Sequence, residues 1–431
     1  MPLHPMPAAT LPDPAPFDRA DPLRSFRERF ELPQQADGRT PAIYLCGNSL
    51  GPMPRGVREL MQQTLDDWAH RGVRGHHDGP RPWIPYAESI APLLGSLVGA
   101  DPMDVVLMNT LTVNLHLLMA SFYRPTAARS AILIEEAAFP SDKYAVDSQI
   151  RFHGLDPHEA LVTIAPRHGE DLLRTEDLLA AIDKNAGRLA LIMLPGVQYR
   201  TGQVLDMARI SAAGKAAGAI VGWDLAHAVG NAPLCLSGWE IDFAVWCSYK
   251  YLCGGPGATA GAYVHKRYRE RFDLPRLAGW WGHDPATRFE MGPDFHPMPG
   301  AAGWQLSNPP IFSTAPLAVS LAIYQEAGAQ RFREKSAALT GYAQAGIATL
   351  LSDQIECITP VAPAERGCQL SLRVKGGPER ARRVFAALCA RGVVGDWREP
   401  DVIRLAPHPL YNSFTEVAAC LRHLAEIMAS A

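Results

Sequence analysis

From residue 41 onward, short apolar runs alternate with longer stretches whose apolar residues recur every three or four positions. The first pattern predicts buried strands and the second predicts helices that pack by one face. Strands are predicted at 42–46 (AIYLC), 104–109 (DVVLMN), 131–136 (AILIEE), 160–166 (ALVTIAP), 189–195 (LALIMLP), 219–224 (AIVGWD), 242–248 (DFAVWCS) and 260–265 (AGAYVH). Helices are predicted at 56–71, from about Thr112, and at about 141–151, 175–186 and 207–217. Strands that are apolar throughout, with helices between them, form a mostly parallel sheet covered on both faces. The fold class is therefore α/β.

The pattern changes after about residue 310. A long helical region, roughly 316–350, leads to ECITP, CQLSLRV, a helix near 378–391, VIRLAP and a last helix near 414–429. This predicts a smaller α+β domain at the C-terminus. The boundaries read as a flexible arm at 1–16, which carries six prolines, and a segment at 17–55 that packs with the small domain. A large domain then spans 56–315 and the small domain 316–431.

Composition removes several classes of function. The formal net charge is −3 over 431 residues, so neither nucleic acid nor an anionic membrane is an expected partner. No apolar run is long enough to span a bilayer, and no basic segment with an apolar core opens the chain as a signal peptide would. The eight cysteines form no C-x-x-C pair, and most lie in apolar runs. They read as reduced and mostly buried, as expected in the cytoplasm. His76 and His77 are adjacent, and adjacent side chains point apart in a strand, so no metal is expected there. The glycines at 254, 255 and 257 do not open a first βα unit, which argues against a nicotinamide cofactor.

Open parallel sheets bind ligands at the carboxyl ends of their strands. Three features fall there. Asp224 closes AIVGWD, Lys250 follows DFAVWCS in the run WCSYKYLCGGPG, and NTLTVNLH (109–116) turns from strand to helix. Taken singly, each has a plain structural reading: a solvated charge for the lysine, a helix cap for the aspartate and for the threonine. Together they match the three handles of pyridoxal phosphate (PLP). A helix start at Leu111-Thr112 suits a phosphate. A lysine amine forms a Schiff base with an aldehyde, and an aspartate keeps a pyridine nitrogen protonated. Asp224 precedes Lys250 by 26 residues (250 − 224), enough for one strand–loop–strand excursion.

Long strings across the chain also carry a family resemblance. They are YLCGNSLG (44–51), GPRPWIPYAESI (79–90), LTVNLHLLMASFY (111–123), FPSD (139–142), VGWDLAHAVGN (221–231), WCSYKYL (246–252), GWWGH (279–283), SNPP (307–310) and IRLAPHPLYNSF (403–414). In these the chain resembles the kynureninases, fold-type I PLP enzymes of the aspartate aminotransferase superfamily. The resemblance implies a hydrolase that cleaves L-kynurenine to anthranilate and L-alanine in tryptophan and kynurenine metabolism. It leaves open 3-hydroxykynurenine as substrate, and a degradative role as against one in NAD biosynthesis. It implies Lys250 as the Schiff-base lysine, Asp224 on the pyridine nitrogen with Asp142 in support, and Phe139 stacked on the ring. Leu111 and Thr112 would hold the phosphate, Tyr249 would reach it and transfer protons, and His227 would face the same cleft. Arg404 would pair with the substrate α-carboxylate, with Ser49 and His76 near its aromatic ring. Trp280 and Asn308 would come from a partner subunit, so a homodimer would complete the site.

One position departs from the pattern. The family members carry an aromatic residue where Arg200 stands in GVQYRTGQ, leaving Arg200 either a phosphate contact or a surface charge. Two other readings remain. A cysteine desulfurase or selenocysteine lyase of the same fold needs a reactive thiol in the C-terminal domain, where Cys368 and Cys389 lie. Cys389 sits in VFAALCARG, a stretch that predicts a buried, inert thiol, and Tyr249 stands where those enzymes carry histidine. A protein that only binds ligand is the other reading, and the joint presence of Lys250, Asp224 and Arg404 argues against it.

Overall fold

The computed structural model describes residues 10–430. The chain forms two compact units. Among the described residues, the larger is Met53–Tyr199 with Val204–Glu326, and the smaller takes those up to Pro52, Arg200–Gln203 and those from Ala327.

The larger unit holds seven strands: β1 Val105–Leu107, β2 Ala131–Glu135, β3 Leu161–Ile164, β4 Leu189–Pro195, β5 Ile220–Asp224, β6 Phe243–Trp246 and β7 Gly261–Val264. They form one sheet in the order β1-β7-β6-β5-β4-β2-β3. From β3 to β6 all neighbours are parallel, and β7 runs antiparallel to both β6 and β1. Every residue of β1, β2, β6 and β7 is buried, which is why these strands read as unbroken apolar runs. Helices α1 Gly56–Arg71, α2 Tyr86–Val98, α3 Leu111–Phe122, α4 Pro140–Phe152, α5 Thr175–Lys184, α6 Met207–Ala216 and α7 Ile311–Ala327 accompany them. Leu115 and Leu118 of α3, Val146 and Ile150 of α4, and Ile132 and Val245 of the sheet share one core.

The smaller unit has an antiparallel sheet of β8 Ile355–Cys357, β9 Leu370–Val374, β10 Asp396–Arg398 and β11 Val402–Leu405, in the order β8-β9-β11-β10. Helices α8 Ala329–Leu350, α9 Pro378–Ala390 and α10 Phe414–Ser430 pack with it around Leu339, Leu372, Val384 and Leu424.

Three expectations need correction. The expected arm at 1–16 is only partly testable, because 1–9 lie outside the described residues. Its remainder is ordered: Leu11 packs on the smaller core, the Tyr342 hydroxyl donates to the Pro12 carbonyl at 2.7 Å, and a helix begins at Ala15. The long helical region is two helices, because Gly328 adopts φ +74 between α7 and α8. A division after residue 315 would cut α7, whereas the units part at Glu326. The α7 helix is tied to the larger unit by Tyr324, whose hydroxyl donates to the carbonyls of Gly230 at 3.1 Å and Tyr251 at 2.6 Å.

Candidate active site

Beyond Trp246 the chain leaves the sheet and folds back on itself. The amide of Cys253 donates to the Lys250 carbonyl and that of Gly254 to the Ser248 carbonyl, both at 2.9 Å. A Cβ on Gly254 would sit 2.8 Å from the Ser248 oxygen, so this loop admits only glycine there. The loop sets Lys250 half-buried at the carboxyl edge of the sheet, with Nζ 3.0 Å from His227 Nε2. His227 lies on the turn after β5, where Asn231 Nδ2 donates to its carbonyl at 2.8 Å. The rings of Phe139 and Tyr249 each have their centroid 5.9 Å from Lys250 Nζ. Burial, with the neighbouring Cys247 thiol, pushes the Tyr249 phenol up, so it stays protonated at neutral pH.

The acid side is equally concentrated. Asp224 ends β5, is 6% exposed, and accepts from the Ala226 amide at 2.6 Å. Asp142, in the first turn of α4, shares a hydrogen bond with it. Burial first, then Asp224, raise the Asp142 carboxyl well above the usual range, while Lys250 opposes them. Two carboxyls sharing a proton carry one charge between them. The second Asp142 oxygen, Oδ1, is buried without a hydrogen-bond partner.

Two helix starts meet beside this cluster. The N-cap residues Thr110 of α3 and Phe139 of α4 make no side-chain capping bond, which leaves first-turn amides available. Thr112 Oγ1 and Ser141 Oγ, one from each first turn, are 2.9 Å apart. Phe139 is 42% exposed and stands edge-on to Tyr199 at 5.3 Å between centroids.

The other expected residues lie as follows. In the smaller unit Arg404 is fully buried in β11, and Asp396 grips it through Nη2 at 2.7 Å and Nε at 3.3 Å. The YLCGNSLG segment joins this edge through a Cys46–Ala406 bridge and an Ala406 amide bond to the Leu45 carbonyl at 2.8 Å. A Cβ on Gly47 would meet the Tyr411 hydroxyl at 2.0 Å, so any larger residue there displaces that ring. Ser49 follows half-buried, its amide donating to Cys46 at 3.0 Å. Arg200 lies 3.9 Å from Asp401 in the same unit. In the larger unit His76 stands edge-on to Trp83 at 5.2 Å. Trp280, 44% exposed, donates to the Arg288 carbonyl at 3.1 Å. Asn308 is exposed and lines a cavity of about 320 Å³ with Asn109 and Thr110, at the start of α3.

Curated relatives decide which family this arrangement belongs to. A kynureninase from Xanthomonas axonopodis pv. citri is 52% identical over 403 residues, covering 94% of this chain and 95% of its own. The chain belongs to the kynureninase family. The family profile for the kynureninase C-terminal domain matches residues 332–424. The kynureninase of Stenotrophomonas maltophilia is 52% identical over 401 residues, which is 93% of this chain and 94% of that protein. Solved structures share the fold at low identity. A C-DES variant with glycine covalently linked to its PLP cofactor superposes with TM-score 0.76 at 18% identity, covering 93% of this chain and 99% of that one. The cysteine desulfurase CsdA of Escherichia coli gives TM-score 0.74 at 17% identity over 95% and 98% of the two chains.

As in other kynureninases, the residues must be able to hold PLP, and those of the larger unit fit. The uncapped start of α3 offers amides to a phosphate. The unpartnered Asp142 oxygen and the buried Asp224 suit a protonated ring nitrogen, and the exposed Phe139 face suits the ring. Lys250, held by an imidazole, has an amine to offer the aldehyde. Four neighbours escaped the reading of the sequence: Glu135 and Gln198 near the acid pair, Tyr199 on Phe139, and Asp396 on Arg404. Glu135 had a signal, since it ends a buried strand as Asp224 does. Asp396 had none.

Proposed function

We propose that this chain hydrolyses L-kynurenine to anthranilate and L-alanine, with PLP as its cofactor. The observation that carries the reading is Lys250, held 3.0 Å from an imidazole at the sheet's carboxyl edge, in a chain of kynureninase sequence. When bound, PLP supplies an aldehyde that joins to amines and a protonated ring that draws electrons from the α-carbon.

The chain's own groups do the rest. Asp224, backed by Asp142, would hold the proton on the ring nitrogen and Phe139 would stack on the ring, while His227 positions the lysine. Leu111, Thr112 and the α3 start take the phosphate. Lys250 takes the proton from the substrate α-carbon. Arg404 binds the α-carboxylate, its fork already aligned by Asp396. Ser49 and His76 meet the aromatic ring. Water adds at the γ-ketone, and Tyr249, kept protonated, gives its proton to the β-carbon as the β–γ bond breaks. The exposed Trp280 and Asn308 support a homodimer in which each copy completes the other's site. The tie of Arg200 to Asp401 supports a role in the smaller unit over a phosphate contact. The division into a larger PLP-binding domain and a smaller C-terminal one, with residues 17–55 packing on the smaller, belongs to the same proposal. So does a cytoplasmic setting, supported by eight free cysteines.

The desulfurase reading has the fold in common, at 17–18% identity, and of its two candidate thiols Cys368 is unsuited. Cys368 is fully buried and its thiol is pushed up to about 12 by burial. Cys389 is exposed, contrary to expectation, because it faces outward near the end of α9 rather than into the core. Parallel turnover of L-kynurenine, 3-hydroxykynurenine and L-cysteine tests the assignment. Anthranilate from the first is the expected product, and sulfide from the third without anthranilate would overturn it.

A further inference from the structure

Gln369 directly precedes β9, is fully buried, and takes no part in the roles above. Its Nε2 donates to Ser371 Oγ at 3.1 Å, and its Oε1 accepts from Asn48 Nδ2 at 3.3 Å. The Ser371 hydroxyl donates in turn to the Arg200 carbonyl at 2.6 Å. A carbonyl only accepts, so the Ser371 proton is given there and the hydroxyl must accept from Gln369. That fixes the direction of the whole chain: the Gln369 nitrogen faces Ser371 and its oxygen faces Asn48. Asn48 and Ser371 are fully buried as well. Two segments are joined in this way. Ser371 stands opposite Arg404 in the register of β9 and β11. Asn48 precedes Ser49 in a turn where the amides of Ser49 and Leu50 return to the Cys46 carbonyl, at 3.0 and 3.1 Å. Asn48 Oδ1 is buried without a partner, so Nδ2 is the atom by which its side chain holds that turn.

We propose that Gln369 is a positioning residue for the substrate: its amide sets the turn that carries Ser49 against the strands that carry Arg404. The proposal rests on the reading of Ser49 and Arg404 as substrate contacts. Two contacts on separate segments grip one molecule together only at a fixed spacing. The task needs an amide, with one donor and one acceptor in set places. Methionine has the length and neither group. An ionised glutamate would keep the acceptor for Asn48 and turn a second acceptor on a hydroxyl whose proton is already given away. Gln369 acts through Ser49, so its removal falls on KM rather than on kcat.

The test is Gln369→Met, read by steady-state kinetics with L-kynurenine and by hydrogen exchange of the substrate-free protein. KM is expected to rise by about five- to tenfold, with kcat and the visible absorption of the PLP-loaded protein unchanged. Amide exchange is expected to speed up across 47–50 while β9 and β11 stay protected. In a Ser49→Ala background the same change is expected to raise KM by less than about twofold, because the hydroxyl it places is gone. If Gln369→Met does not fold, Asn48→Ala cuts the same link from the side of the turn and decides on the same readouts. An unchanged KM, a loss confined to kcat, unchanged exchange at 47–50, or an undiminished effect in the Ser49→Ala background overturns the proposal. A wild type that makes no anthranilate, or a Ser49→Ala protein with the wild-type KM, strikes the functional reading instead, and exchange alone then decides whether Gln369 holds the turn.

Discussion

Two lysines of this chain are drawn out of bulk water, and they are held in opposite ways. Lys335, in α8 of the smaller unit, is 6% exposed and lies 2.6 Å from Asp21, a carboxylate that is itself hidden. Lys250, in the larger unit, meets an imidazole and two aromatic rings. A buried ammonium that serves structure needs a fixed counter-charge. One that serves chemistry needs partners it can leave. The carboxyls divide the same way. Asp396 is locked on Arg404, while Asp142 keeps a buried oxygen unpartnered beside Asp224. That unpartnered oxygen is free to take a hydrogen bond from a ligand.

The contrast can be broken most forcefully at Lys250. Lys250→Ala should lower kcat by about 10³-fold or more while circular dichroism and unfolding midpoint stay near wild type. Lys335→Ala should do the reverse. It strands Asp21 and should cost about 3–5 kcal/mol in denaturant unfolding, with kcat per folded molecule unchanged. Adding Asp21→Leu to Lys335→Met should recover most of that loss. Arg404→Lys keeps the charge and loses the fork, so steady-state kinetics should show KM raised by about tenfold or more. The smallest effect is a pH dependence. Burial lowers the Lys335 pKa despite the hydrogen bond and charge of Asp21. In the window just below the ordinary lysine pKa the unfolded chain binds more protons than the folded one, so this group's contribution rises with pH. Unfolding midpoints at alkaline pH should therefore move in favour of wild type over Lys335→Met as pH increases.

Much of this was legible in the sequence, for identifiable reasons. Continuous burial made the strands readable, and α1 matches the expected 56–71. The α2 helix was missed because Pro85 precedes it and Pro92 lies inside it, and both read as breakers. Strand β10 was missed because it is three residues long and carries an aspartate and an arginine. Lys250, Asp224 and the helix start at Thr112 were readable from the residues, whereas Asp142 and Phe139 came only through the family resemblance; Phe139 lies near Lys250, Asp142 shares a hydrogen bond with Asp224, and both belong to the α4 start that meets the α3 start. What could not be read was each group's local partner. Nothing in the chain order says that His227 rather than a carboxylate meets Lys250, or that Asp396 aligns Arg404 across two antiparallel strands.

The most direct test is to load the protein with PLP, reduce it with borohydride and map the modified peptide by mass spectrometry. The account predicts the label on Lys250, within SYKYLCGG, and leaves Lys335 untouched. A label on Lys335 or any other lysine, or a loaded protein that yields no lysine adduct, would contradict it.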